Sequence, residues 1–227
     1  MAPSEHLTAW ARKRVFGRMR HRGLVLLAAL VLQLVMYPLL ERNQADYSPW
    51  IIAYWLATPL LGAVQLASRM WMIVVSALTV SIIATAAMLS AAQLVAIPGE
   101  ALVWLGMGTY LTAAIAVGRA ALFSEELVDN RVYAGISAYL LIGYFFAAVH
   151  HWVAMRNPMA YQIPGQQGPV QLTIADFLYF SFSTLTTAGF GDITAVSRGA
   201  RLACMLEAVT GVLVPATFIA RLLAKSR

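Results

Sequence analysis

Residues 186–192 read Thr-Thr-Ala-Gly-Phe-Gly-Asp and directly follow the short stretch Asp176–Leu185, between two long apolar segments. Gly189 and Gly191 alternate with other residues, and glycine adopts backbone conformations that other residues avoid. Non-helical backbone survives at membrane depth only where it is buried in protein or lines a watery path. A ring of carbonyl oxygens on such a path replaces the water shell of a dehydrated cation. The run therefore indicates cation coordination by backbone oxygens.

We expect the carbonyls of Thr187, Ala188, Gly189 and Phe190 to form successive oxygen rings, with the Thr187 hydroxyl adding the innermost ring and Gly191 completing the run. One chain supplies one loop, and a closed ring needs four. The geometry therefore predicts a homotetramer with cyclic symmetry. The coordinated cation would be the transported ion, and no cofactor is expected.

The composition predicts an integral membrane protein, because 60% of the 227 residues are hydrophobic and only 11% are charged. A net charge of +6 would suggest nucleic acid as the partner of a soluble chain. Here the basic residues lie between apolar segments, so a topology signal is the simpler interpretation and no nucleic-acid partner is expected. Cys204 is the one cysteine, which leaves no disulfide framework.

Six segments are long and apolar enough to cross a membrane, since a crossing needs about 20 mostly apolar residues. They are Leu24–Leu40, Trp50–Ala67, Met70–Ala92, Ala101–Phe123, Val132–Val153 and Gly199–Ala224. Asp176–Leu185 is too short to cross and is interpreted as a re-entrant helix. The predicted fold class is an all-α membrane protein with six transmembrane helices, a re-entrant pore helix and a filter loop, assembled as a tetrameric pore.

The distribution of basic residues predicts the orientation. An even number of spans places both termini on the same side of the membrane. Twelve Lys and Arg residues lie on that side and four lie on the other. The twelve are Arg12, Lys13, Arg14, Arg18, Arg20, Arg22, Arg69, Arg119, Arg131, Arg221, Lys225 and Arg227. Both termini are therefore expected in the cytoplasm. The basic stretch 10–22 is either an interfacial helix on anionic lipid or a frayed tail.

From Asp176 to Ala224, the order of short helix, Thr-Ala-Gly-Phe-Gly run and final apolar helix resembles the pore of potassium channels. The chain resembles the six-transmembrane bacterial potassium channels of the voltage-gated-like superfamily. Phe190 stands where that family most often has Tyr, and Ala188 where it most often has Val. The resemblance implies three parts: a basic N-terminus at 1–22, a sensor-like domain of four helices at 23–131 and a pore domain at 132–227.

The resemblance also implies residues that support the filter, among them Ser183, Thr184 and Thr186. It pairs the phenol of Tyr179 with the carboxylate of Asp192, and the alternative for Asp192 is simple solvation. Glu207 is the one carboxylate in the last span. Buried carboxylates usually face protein or water, so we expect hydroxyl partners from Ser183 or Thr184. The alternative is that Glu207 reaches water near the interface.

Gly211 and Pro215 predict a kink in the last span, because Pro215 lacks the N–H that would bond the Gly211 carbonyl. Gly211 matches the hinge glycine of the resembled family, so the kink is interpreted either as a gate or as static. Val212, Ala216 and Ile219 share a helix face and are expected to line the cavity below the filter.

The first four spans lack the charges of a voltage sensor. Their fourth member carries one arginine, Arg119, whereas a working sensor carries several. We therefore expect weak or no voltage dependence. His150 and His151 are adjacent, so their side chains diverge, and we expect them to anchor at the interface rather than bind metal.

The sequence and the resemblance favour a passive, potassium-selective channel in a bacterial inner membrane. The alternatives are a poorly selective cation channel and a non-conducting subunit that keeps the pore fold. The sequence shows no nucleophile–base pair, phosphate loop or metal spacing, so an enzyme is not expected.

Overall fold

The computed structural model describes residues 22–40, 99–123, 128–166 and 168–224. These residues form five helices and two short strands: α1 Arg22–Leu40, α2 Gly99–Phe123, α3 Val128–Arg156, β1 Tyr161–Gln162, α4 Ile174–Leu185, β2 Thr194–Ala195 and α5 Arg198–Ala224. The mostly helical fold predicted from the sequence is confirmed for this part of the chain. The predicted second and third spans and the basic stretch 10–22, apart from Arg22, lie outside the described residues, as do Lys225 and Arg227.

Three helical stretches are long and apolar enough to cross a membrane, judged by length and composition: Glu100–Phe123, Asn130–Arg156 and Arg198–Ala224. At about 1.5 Å per residue, each exceeds the ~30 Å hydrocarbon core of a bilayer. They coincide with the last three predicted spans. Helix α4 has 12 residues and is too short to cross, as expected. Within α1, Gly23–Met36 forms a shorter apolar helix.

Helices α2 and α3 form an antiparallel hairpin. At one end, the ring centroids of Trp104 and Trp152 lie 5.2 Å apart. At the other end, Arg131 Nε donates to the Ala121 carbonyl at 3.0 Å, and this bond caps the last turn of α2. Arg131 was expected in the connector, but α3 begins at Val128 and includes it. The apolar segment by itself does not reveal that the polar first turn of α3 is helical.

The core of the hairpin consists mainly of small and medium apolar side chains. Small residues let helix backbones approach closely, and α1 packs onto the pair through larger ones. The buried members are Leu26 and Leu30 of α1, Ala113, Ala114, Val117 and Ala121 of α2, and Ala134, Ala138 and Leu141 of α3. Buried hydrogen bonds add to the contact with α1: Gln33 Nε2 donates to the Tyr110 hydroxyl, and the Tyr144 hydroxyl donates to the Leu30 carbonyl, each at 2.9 Å.

Helix α4 begins with a capping box, two residues earlier than predicted. Thr173 accepts from the Asp176 amide, and the Asp176 carboxylate accepts from the Thr173 amide at 2.8 Å. The pattern Thr-x-x-Asp carried this signal in the sequence. The reciprocal bonds fix where α4 starts, and so set its register against α3 and α5.

Strands β1 and β2 form an antiparallel ribbon, here called the ribbon, which the all-helical prediction did not include. Tyr161 pairs with Ala195 and Gln162 with Thr194. Beside the ribbon, Phe177 and Phe180 of α4 pack with Tyr161 and Ile193 in a second buried cluster. The ribbon therefore ties the chain that leaves α3 to the chain that follows residue 192.

Candidate functional site

Every second residue of the segment 187–191 has a left-handed backbone conformation. Thr187, Gly189 and Gly191 have φ values of 60°, 56° and 80°, whereas Ala188 and Phe190 are not in this left-handed region. Alternating right- and left-handed residues point successive N–H groups to one side and carbonyls to the other. Glycine supplies two of the three positions without steric cost. Thr187 does not, since a β-branched residue at positive φ costs roughly 1–3 kcal/mol.

The N–H side of this loop faces the end of α4. The amides of Ala188 and Gly189 both donate to the Ser183 carbonyl, at 2.9 and 3.2 Å, and the Phe190 amide approaches the Ser183 hydroxyl at 3.4 Å. The Thr187 amide donates to the Thr184 carbonyl at 3.0 Å. Ser183 and Thr184, both expected to support the filter, thus contact it through these bonds.

The carbonyls of the same loop have no hydrogen-bond partner among the described residues. Residues 186–192 are exposed on the single chain, and within the described residues the carbonyls of 187–191 accept no hydrogen bond. Thr186 caps α4, and its hydroxyl donates to the Phe182 carbonyl at 2.7 Å. The run expected to coordinate a cation is therefore exposed on the single chain, and its carbonyl oxygens are not used in hydrogen bonds among the described residues.

Tyr179 and Asp192 lie together, the arrangement that the resemblance implies. A hydrogen bond between the phenol and the Asp192 carboxylate raises the pKa of Tyr179, because the carboxylate stabilises the protonated phenol. The Tyr179 ring also stacks on Phe190, with centroids 5.9 Å apart. Asp192 in addition accepts from the amide of Ile193 at 3.0 Å. Tyr179 therefore contacts the loop at both its aromatic and its acidic residue.

Glu207 is fully buried, so the alternative in which it reaches water is wrong. Its hydroxyl partner is Ser181, rather than Ser183 or Thr184, and its second oxygen lies 2.8 Å from His150 Nε2. Ser183 is turned toward the loop amides, which leaves Ser181 on the face of α4 that meets α5. His150 is also fully buried, so its expected place at the interface is wrong.

Gly211 is buried where α5 crosses the end of α4. A Cβ there would overlap the Leu185 carbonyl oxygen and lie 2.8 Å from its carbon. The Tyr139 hydroxyl of α3 donates to the same carbonyl at 3.1 Å. Close packing against the residue just before the loop is therefore a reason for glycine at this position, independent of any hinge. Helix α5 continues through Pro215, and a moving gate stays a prediction.

The three residues expected to line a cavity lie on an exposed face of α5. Val212 and Ile219 are 57% and 58% exposed on the single chain, and Ala216 is exposed between them. The face of α5 that these three residues share is therefore not covered by the described part of the same chain.

Sequence reasoning missed several residues that position this site: Tyr139, Gly143, Ser181 and Tyr161. One signal was available for Ser181, since it shares a helix face with the apolar residues Phe177 and Leu185. A hydroxyl on an apolar face needs a partner, and the last span holds a single carboxylate. Nothing in the sequence indicated Gly143, whose Cβ would lie 2.6 Å from the Phe182 ring.

Residues 135–225 match the protein-family model described as "Ion channel". The matched segment contains most of α3, all of α4, the loop 186–192 and α5. No curated protein and no solved structure gives a significant match to the chain. Together with three helices of spanning length, the match supports a membrane protein with ion channel function, and it suggests a transport role rather than catalysis.

Proposed function

We propose that the chain forms a homotetrameric channel that conducts K⁺ passively and selectively, with residues 187–191 of four copies lining the axis. The observation that carries this proposal is the alternation in hand at Thr187, Gly189 and Gly191. Such alternation favours carbonyls on one side of the loop, and it is supported by the amides of Thr187, Ala188 and Gly189, which bond to Ser183 and Thr184. Four such rows around an axis supply the oxygen rings that replace the hydration of a K⁺ ion.

Two further features support this proposal. The carboxyl end of α4 lies directly before the loop, so the negative end of its dipole favours a cation there. Helix α5 leaves most of its apolar surface free, since Leu206, Val209 and Leu213 are each more than half exposed on the single chain. That surface is available to neighbouring copies as well as to lipid.

We further propose that conduction has weak or no voltage dependence. In the described part of the sensor-like domain, α2 carries one arginine, Arg119, and its side chain is exposed near the end of the helix. Moving one charge across the field contributes ~2.3 kcal/mol per 100 mV. A single charge per chain at the helix end is too few for steep gating. The expected conductance–voltage curve is shallow.

The test is the reversal potential of purified protein in liposomes with opposed K⁺ and Na⁺ gradients, alongside the mass of the assembled complex. A tetramer whose reversal potential follows the K⁺ gradient is the expected result. A reversal potential near zero would indicate the poorly selective alternative. A tetramer without flux would indicate the non-conducting subunit, and a stable monomer or dimer would overturn the proposal entirely.

A further inference from the structure

Glu207 is the centre of a line of four buried contacts that joins three helices and the ribbon. Tyr161 Oη lies 2.7 Å from His150 Nδ1, and His150 Nε2 lies 2.8 Å from Glu207 Oε2. The other Glu207 oxygen contacts Ser181 Oγ, which in turn lies 2.8 Å from the Gly143 carbonyl. All four side chains are at most 2% exposed. Because water does not reach them, the protons for these contacts must come from the groups themselves.

The position of each proton along the line follows once the contact at its Gly143 end is considered. A carbonyl only accepts, so the single hydroxyl proton of Ser181 is donated to Gly143. Ser181 Oγ then faces Glu207 as an acceptor, and the proton between them belongs to the Glu207 carboxyl. The second carboxyl oxygen accepts from His150 Nε2–H, and His150 Nδ1 accepts from the Tyr161 hydroxyl. Each of the four contacts thus contains one proton, and every donor points along the line from Tyr161 toward Gly143. The four side chains then carry no net charge.

An ionised Glu207 leaves contacts unsatisfied. The carboxylate would take the Ser181 proton, and two oxygens would then face each other at 2.8 Å between Ser181 and Gly143. A cationic His150 would donate from both nitrogens, and the Tyr161 hydroxyl would have no second acceptor among the described residues. Each buried polar group left unpaired costs about 1–3 kcal/mol.

The charges around Glu207 agree with this count. Among the described residues, His150 is the one partner that can place a positive charge against the carboxyl. The other titratable groups that interact electrostatically with Glu207 are Tyr139, Tyr161 and Cys204. Phenols and thiols of this kind are uncharged at neutral pH. A buried carboxylate would therefore depend on His150 alone.

We infer that Glu207 is held as an uncharged carboxylic acid and acts as a positioning residue for α4. Through Ser181 it fixes α4 against α3 and α5, two residues before Ser183, whose carbonyl and hydroxyl hold the loop amides. Through His150 and Tyr161 the same line reaches the ribbon. This inference concerns the architecture behind the loop, and it stands whichever ion the protein conducts.

The test is infrared difference spectroscopy of the assembled protein, comparing the natural chain with Glu207→Gln. The expected result is one carboxylic-acid carbonyl band that is lost in Glu207→Gln and is constant from mildly acidic to mildly alkaline buffer. A glutamine amide donates and accepts at the same two places as a protonated carboxyl. The thermal midpoint of Glu207→Gln is therefore expected close to the natural value, whereas Glu207→Ala is expected to lower it clearly.

A second variant keeps the test decisive if Glu207→Ala does not assemble. Ser181→Ala retains Glu207 but removes the acceptor of its proton, so the acid band is expected to shift to higher frequency. Loss of carboxylate bands instead of an acid band in Glu207→Gln would overturn the inference. So would an acid band that Ser181→Ala leaves unmoved, or a Glu207→Gln assembly as unstable as Glu207→Ala.

Discussion

The contact between α2 and α3 and the contact between α4 and α5 are built on different physical principles. The first is mainly apolar, with alanines and Val117 facing Ala134 and Ala138. The second depends on one backbone approach, Gly211 against Leu185, and on one buried carboxyl contact, Glu207 to Ser181. Apolar packing adjusts to small changes in shape, but direct contact between a side chain and backbone atoms does not. The two regions should therefore respond differently to matched substitutions.

The largest difference is expected from adding one methyl group to each region. At Gly211 a Cβ overlaps the Leu185 carbonyl, whereas at Gly118 in α2 the nearest atom, Ala138 Cβ, lies 3.8 Å away in ordinary contact. Overpacking costs about 1–3 kcal/mol, and more where backbone must move. Gly211→Ala is expected to lower the thermal midpoint of the assembly and abolish most ion flux, because Leu185 directly precedes the loop.

Gly118→Ala is the matched control and should keep both assembly and flux, since alanine also has the higher helix propensity. Thermal unfolding and liposome flux measure the two outcomes. Equal thermal midpoints and equal ion flux in the two variants would mean that the α4–α5 contact is as adaptable as the α2–α3 contact. The close packing of Gly211 would then not be required for conduction.

A second comparison sets the loop 186–192 against the loop that contains Gly165. Gly189 and Gly165 have φ values of 56° and 88°, and a Cβ on either meets no atom within 4 Å of the same chain. Alanine at each position therefore carries a similar conformational cost, ~1–2 kcal/mol, without a clash. At Gly189 that cost affects the residues expected to coordinate the ion, so the K⁺ to Na⁺ permeability ratio is expected to fall by about tenfold, the equivalent of ~1.4 kcal/mol.

Gly165→Ala should lower stability alone and leave the reversal potential unchanged. Both variants are measured with the same opposed K⁺ and Na⁺ gradients. An unchanged permeability ratio in Gly189→Ala would show that the alternating backbone does not govern which ion passes. A changed ratio in Gly165→Ala would show that the effect comes from general destabilisation.

The same contrast explains how much could be predicted from the sequence. Apolar length identified three helices of spanning length, and the glycine spacing identified the exposed loop, since both are local properties. The capping box at Thr173 is local as well, and its signature Thr-x-x-Asp is visible in the sequence. The partner of Glu207 and the role of Gly211 depend on which faces of α4 and α5 meet. Residues separated by 26 positions, such as Ser181 and Glu207, meet only through the fold, and sequence periodicity does not give that pairing.

The smallest effect on selectivity is expected from Tyr179→Phe, which removes the phenol that bonds Asp192 and keeps the ring that stacks on Phe190. Both groups are exposed on the single chain, so the bond competes with water and its loss should change the permeability ratio only slightly. Faster current decay at low K⁺ is the more sensitive measurement, because a less braced loop loses its arrangement when ions leave.

Tyr110→Phe is the matched control in the apolar region. It removes the hydroxyl that accepts from Gln33, so it should lower the thermal midpoint by an amount equivalent to ~1 kcal/mol and leave current decay unchanged. If Tyr179→Phe decays at the natural rate, Asp192 is simply solvated and the amides bonded to Ser183 hold the loop without help from the phenol.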